Sequence, residues 1–249
     1  MPFQLTFCQQ AGNQHQKNQD ALFNGKAVYQ WQLKNAESYL LDNDKVIFGV
    51  ADGVSSHPRN HLAARYLMEL LSQCKSLDSQ WLRQAHGDFC VKLAKDYFGT
   101  SCTFVACELH HNGKGRVVNV GDSRAYKITA NGEWQQLSFD HTILAEMKQQ
   151  GLVKEGSNYA SMYNGLTDCI VADFDADDFR IHIAEFQLEK GESILLCSDG
   201  LHEQLAPKAI QAIWDGYGSP SHRLQICRKM VKMHRLYDDF SAVICEIVI

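Results

Sequence analysis

The stretch "CTFVACELHHNGKGRVVNVGDSRAYKIT", residues 102–129, holds three apolar runs separated only by turn residues. The runs 102–110, 115–121 and 124–129 are rich in β-branched and aromatic residues, as strands are. Their links, "HNGKG" and "GDSR", are short. Parallel strands need a crossover of a dozen or more residues, so this stretch reads as an antiparallel meander and excludes a parallel nucleotide-binding sheet. Further strand signals lie near 3–8, 27–33, 45–51, 192–198 and 242–248. Between the strands at 45–51 and 102–110 run "NHLAARYLMELLSQC" (60–74) and "SQWLRQAHGDFCVKLAKDYF" (79–98). Apolar residues return there every three or four positions, which predicts two amphipathic helices packed as a hairpin. Helices are also expected at 206–215 and 220–235, with a short one at 141–150. This order predicts an α+β fold, a sandwich of two antiparallel sheets with helices outside.

The composition sets the frame. The chain has 249 residues, 45% of them hydrophobic, which suits one domain with a well-formed core. Residues 151–178 carry weak periodicity, many turn formers and a group of acids, and read as a surface excursion. Lys and Arg total 24 against 29 Asp and Glu, a net charge of -5, with no basic and aromatic tract, so nucleic acid is not expected as a partner. No apolar run is long enough to span a bilayer, and "MPFQLTF" lacks the pattern of an export signal; no membrane and a cytoplasmic location are expected. The nine cysteines are odd in number and form no CxxC pair, which predicts free, mostly buried thiols in a reducing compartment rather than a disulfide framework or a zinc site.

Five short pieces carry the chemistry: "NQDALF" with Asp20, "VADG" with Asp52 and Gly53, "VGDSRAY" with Asp122, "CSDG" with Asp199 and Gly200, and "YDDFSAV" with Asp238 and Asp239. Each places a carboxylate at the end of a strand. If those ends converge, the carboxylates repel and raise one another's pKa unless cations neutralise them. Oxygen ligands on loop ends suit Mg²⁺ or Mn²⁺ rather than zinc. A glycine directly after Asp52 and Asp199 would let a backbone carbonyl approach a cation unhindered.

Taken in order, and with "GTSCTFVA" (99–106) and "LSFDHT" (137–142) between them, these pieces resemble the metal-dependent Ser/Thr protein phosphatases of type 2C, in their compact bacterial form. The resemblance runs from Asp20 to Asp239. It implies a single catalytic domain over 1–249, a central β-sandwich flanked by pairs of antiparallel helices, and a binuclear Mn²⁺ or Mg²⁺ centre. It also implies hydrolysis of phosphoserine and phosphothreonine in proteins by a water bridging the two ions. By motif position, Asp52 would bridge both ions, Gly53 would offer its carbonyl, and Asp20 would anchor a bound water. Asp199 and Asp238 would complete the first ion, with Asp239 beside them, and Asp122 with Asp199 would form a third, weaker site. The excursion at 151–178 falls where the family places a flap. A cognate Ser/Thr kinase or its substrates are the partners implied, with a loose resemblance around "ADGVSSHP" (51–58) pointing to a secretion-system kinase.

The chain departs from the family pattern at the phosphate. His15 stands where members carry an Arg, and imidazole offers one hydrogen bond in place of a guanidinium fork. Lysine follows at Lys17, Arg59 is a candidate substitute cation, and His57 and His61 are candidate general acids. A catalytically dead relative that binds phosphoproteins or a kinase is the alternative. The retained carboxylates oppose it, because such a cluster without metal costs stability. "DFDADD" (173–178) fails a calcium-loop template at its sixth and twelfth positions, and an esterase triad through Ser123, Asp199 and His202 has the wrong order. Arg124 is expected to pair with a loop carboxylate.

Overall fold

The computed structural model describes residues 2–14, 17–54, 59–153, 159–216 and 218–248. The chain opens with β1 (Phe3–Gln10), β2 (Ala21–Phe23), β3 (Val28–Tyr29), β4 (Glu37–Leu41) and β5 (Lys45–Ala51), then α1 (Asn60–Leu71) and α2 (Ser79–Tyr97). There follow β6 (Ser101–Cys102), β7 (Phe104–His110), β8 (Lys114–Val120), β9 (Arg124–Ile128), β10 (Trp134–Gln136) and α3 (Ile143–Gln149). A 3₁₀ turn (Ser161–Asn164) leads to β11 (Ile170–Val171), β12 (His182–Gln187), β13 (Ser193–Cys197), α4 (Asp199–His202), α5 (Pro207–Gly216), α6 (Pro220–Val231) and β14 (Phe240–Ile247).

Two six-stranded sheets stack face to face. The first runs β10-β9-β13-β14-β1-β4 and the second β12-β8-β7-β5-β2-β3, with β11 and β6 forming a small ladder apart. Pairs such as β1 with β14 and β5 with β7 are antiparallel. Strand period two sorts the side chains: Val105, Cys107 and Leu109 of β7 face the space between the sheets with Phe48, Leu196 and Val243. Phe104 and Ala106 face the other way, beneath Leu67, Met68 and Leu71 of α1 and Phe89 of α2. On the far side, Leu195 and Cys197 of β13 meet Ile213 and Trp214 of α5 and Leu224 of α6. Both faces of the central strands are therefore buried, which explains their nearly unbroken apolar runs. The α2 helix starts where Asp78 accepts from the Trp81 amide at 2.7 Å, and α6 where Ser219 caps a helix with Pro220 in its first turn.

The expected α+β sandwich is the fold observed, with α1 packed against α2 and α5 against α6. The meander is not. β7 and β8 pair as a hairpin, but β9 leaves that sheet and pairs with β13 and β10 in the other. "GDSR" is a bridge between sheets, with Gly121 at φ 95° making the turn. The strands β4, β10 and β12 were not anticipated, and β2 was marked only by the Asp at its edge in "NQDALF": β4 and β12 are half-exposed, and β2 and β10 have only three residues each. Only Val28 and Tyr29 of the 27–33 run join a ladder. All nine cysteines are free, seven of them buried. Within 151–178, residues 154–158 lie outside the described set, and β11 ties the excursion back to β6 through Ile170 opposite Cys102.

Candidate metal centre

Strand register alone brings the carboxylates together in pairs. In the second sheet Ala21 faces Ala51, so Asp20 and Asp52 lie side by side one residue beyond the ladder. In the first sheet Cys197 faces Arg124, and two residues further on Asp199 reaches the level of Asp122. Asp122 sits on the bridge from β8 to β9, between the sheets. Asp238 precedes β14, whose Phe240 is opposite Gln10 of β1.

Hydrogen bonds hold the frame. The Asp52 amide donates to Thr103 Oγ1 at 3.0 Å, the Thr103 amide returns a bond to the Asp52 carbonyl at 2.8 Å, and Ser123 Oγ lies 2.7 Å from the Thr103 hydroxyl. Ser198 Oγ donates to Asp20 Oδ2 at 2.7 Å. Asp239 accepts the amides of Gly12 and Gln19, both at 2.6 Å, and its own amide donates to Asp238 Oδ1 at 2.8 Å. Its carboxylate thus clamps the segment leading to Asp20. Arg124 forks onto Asp140, as a loop partner for that residue requires, through Nε at 3.0 Å to each oxygen.

The electrostatics follow from crowding. Burial, then Asp239, pushes the Asp20 carboxyl up to about 8. Burial and the carboxylates of Asp199, Asp20, Asp122 and Asp238 push Asp52 well above the ordinary range. Asp199 rises through burial and then Asp122, Asp238 and Asp20, and Asp122 rises to about 7 through burial, Asp140 and Glu203. Burial depresses His202 to about 3, so its neutral ring donates Nε2–H to the Asp122 carbonyl at 3.1 Å.

The donor set fits hard divalent cations. Asp20 Oδ1 and Asp199 Oδ1 are buried and have no hydrogen-bond partner among the described residues. The neighbours that act most strongly on Asp52 and Asp199 are all acidic. Among the described residues no three His, Cys, Asp or Glu side chains close around a single point, so the cluster is open rather than a finished cage. Mg²⁺ and Mn²⁺ suit open oxygen donors because they keep part of their water shell. Beside Asp122 the cluster abuts a cavity of about 330 Å³ that also touches Arg124, Asp140, Lys148, Asn164 and Glu203.

The structure also gives the two Asp-Gly pairs a packing role. A Cβ on Gly53 would stand 2.8 Å from the Asn60 carbonyl carbon and oxygen, and one on Gly200 would stand 1.9 Å from the Asp239 carbonyl oxygen. The glycines make room for the first turn of α1 and for the strand entry at Asp239. His15 and His57 lie outside the described residues. Lys17 is exposed, and His61, lowered by burial and then by Lys17 and Arg59, gives its carbonyl to Gln30. Ser123 is fully buried and bonded to Thr103, which removes the esterase triad. Sequence reading missed Ser198, Thr103 and His202 as supports, although Ser198 stood in "CSDG" beside Asp199. Among the described residues no helix is long and apolar enough to cross a membrane.

The sequence profile of the family Protein phosphatase 2C matches residues 13–233. No curated protein sequence matches the chain. The serine/threonine phosphatase PstP/Ppp of Mycobacterium tuberculosis superposes with a TM-score of 0.79 at 14% identity, over 99% of each chain. A catalytic domain of PstP in complex with two manganese ions gives 0.75 at 14% identity, again over 99% of each. PppA of Pseudomonas aeruginosa, described as a key regulatory component of T6SS, gives 0.73 at 16% identity over 98% of this chain and 97% of its own. At these identities the superpositions speak for the fold, while the profile covers most of the chain and every carboxylate motif except Asp238 and Asp239. The chain belongs to the protein phosphatase 2C family and is an enzyme of the protein Ser/Thr phosphatase class.

Proposed function

We propose that the chain hydrolyses phosphoserine and phosphothreonine monoesters in proteins with two Mn²⁺ or Mg²⁺ ions, and that it works opposite a Ser/Thr kinase. The observation that carries this reading is the convergence of Asp20, Asp52, Asp122 and Asp199, with a buried oxygen of Asp20 and one of Asp199 left without a hydrogen-bond partner among the described residues. Asp52, the Gly53 carbonyl, Asp199 and Asp238 would hold the two ions, and Asp122 with Asp199 a third. When bound, such ions supply a water of lowered pKa and neutralise charge on a phosphoryl group.

The chain's own groups do the rest. Asp20 keeps Oδ2 on Ser198, and its Oδ1 has no partner among the described residues, which suits it to orienting a water molecule. Thr103 holds the backbone of Asp52 from both sides, so that carboxylate leaves its strand in a fixed direction. Asp239 is occupied with amides and acts on position, not on substrate. No protein nucleophile is called on. His15 would meet the phosphate as a single hydrogen-bond donor, with affinity rising toward acid pH as the imidazole gains charge. The kinase link draws on the description of PppA as a regulatory component, and on the reaction, which only a Ser/Thr kinase reverses.

The test is hydrolysis of p-nitrophenyl phosphate and of a phosphothreonine peptide by metal-stripped protein, with and without Mn²⁺, beside Asp52→Asn and Asp199→Asn. Activity that needs Mn²⁺ and is lost in both variants supports the reading. Tight Mn²⁺ binding without hydrolysis would make the chain a phosphoprotein-binding module instead. Substituting His15→Arg should lower KM for the peptide, and an unchanged KM would remove His15 from the phosphate site.

A further inference from the structure

A second hollow continues from the catalytic cavity along the outer face of the first sheet. Arg124 and His202 line both. Past them the hollow, about 510 Å³, is walled by Tyr126, Trp134, Leu205, Pro207 and Ile210. Its volume lies within the range of about 300–1,000 Å³ usual for ligand sites. Strand alternation makes it: Ala125 faces the core between the sheets, so Arg124 and Tyr126 face outward, with Gln136 opposite Tyr126 in the register. α4 and α5 form the other wall. The walls are braced before any ligand arrives, by the edge contacts of Trp134 with Tyr126 at 5.0 Å and with Trp214 at 4.6 Å, and by the fork of Arg124 on Asp140.

The geometry points to this groove as a subsite for an apolar side chain of the phosphoprotein substrate, three or four residues along the chain from the phosphorylated residue. Tyr126 of β9 lies four positions after Asp122, about 13 Å along an extended chain at roughly 3.3 Å per residue. An extended peptide crossing the carboxylate cluster and lying along β9 covers the same length in the same number of residues. Continuity with the cluster through Arg124 and His202 is what commits the groove to substrate rather than to a separate ligand. Among the described residues no acidic side chain lines it, so a peptide carrying phosphate meets no repulsion there. The inference rests on the phosphatase reading above.

The experiment uses phosphothreonine peptides in an alanine-rich background with a single Leu or Phe walked through each position on both sides. With the wild type and Mn²⁺, kcat/KM should rise roughly tenfold, through KM, at one position three or four residues away on one side. Lys208→Trp and Gln211→Trp place a bulky ring into the groove from its rim. Each should abolish that preference while p-nitrophenyl phosphate, which has no peptide arm, is hydrolysed as before. A flat profile with p-nitrophenyl phosphate still hydrolysed would overturn this inference alone, as would a preference that survives both substitutions. A concentration-dependent dimer that both substitutions dissolve, seen by sedimentation, would give the groove to a second copy and equally overturn it. Loss of all hydrolysis in the wild type would remove the phosphatase reading and the subsite together.

Discussion

Ser198, just past β13 in the first sheet, donates its hydroxyl to Asp20 Oδ2 at the entry of β2 in the second, at 2.7 Å. The same hydroxyl accepts the Ser241 amide at 3.0 Å, so one side chain joins three strand ends and two sheets beneath the carboxylate cluster. This places the joint between the sheets at the site itself.

Replacing Ser198 by Ala removes the hydroxyl bonded to Oδ2 of the fully buried Asp20, whose Oδ1 has no partner among the described residues. Stability should fall by about 1–3 kcal/mol, the usual cost of stranding a buried polar group. The urea midpoint should drop with an unchanged slope, and a midpoint equal to wild type would show that the bond adds nothing to the joint.

The metal-free protein should lose stability as pH rises, the reverse of the usual carboxylate behaviour. Asp20 is raised to about 8 and Asp122 to about 7 in the folded chain. The unfolded chain releases those protons near the ordinary carboxylate pKa of about 4. Between these limits the folded state holds more protons, so its stability is full at acid pH and is lost through about 7 and 8. In EDTA the Tm should be lower at about pH 8 than at about pH 5, and saturating Mn²⁺ should remove the difference. A Tm in EDTA that climbs over this range would contradict the crowding described for these carboxylates.

Asp199→Asn should separate stability from activity. Removing one charge relieves Asp52, on which Asp199 acts more strongly than any other carboxylate, and the metal-free variant should gain about 1 kcal/mol or more. Its Mn²⁺-dependent turnover should fall by about a hundredfold or more, since losses at or beside metal ligands are of that order. A variant both less stable in EDTA and fully active would be incompatible with the proposed centre.

Two glycines should respond in opposite directions. Gly200→Ala puts a methyl group 1.9 Å from the Asp239 carbonyl, a backbone atom that cannot turn aside, and should cost about 3 kcal/mol with loss of activity. Gly87, inside α2, has nothing within 4 Å of the added carbon, and Gly87→Ala should stabilise by about 0.5–1 kcal/mol through helix propensity. Thermal melts of the two variants decide the matter, and a mild Gly200→Ala would mean that the β14 entry moves freely.

Local pattern in the chain determined the elements that are long and regular. The runs at 45–51 and 192–198, the helices at 60–74 and 79–98, and the Asp at each strand end were all legible, because side-chain period and turn chemistry are set by near neighbours. The half-exposed β4 and β12 were not, since exposed apolar residues on their outer faces, Leu40 and Ile183, break the alternation. What only the tertiary structure decided was the sheet that β9 joins. The "GDSR" turn is equally short whether the chain folds back or crosses over, and the choice falls to the register of Arg124 against Cys197, residues 73 positions apart. That crossing puts Asp122 level with Asp199, and the same long-range packing sets the backbone of Asp239 against Gly200 and that of Asn60 against Gly53. Carboxylates and glycines were readable one by one, but their convergence depends on contacts between distant segments, which no local pattern records.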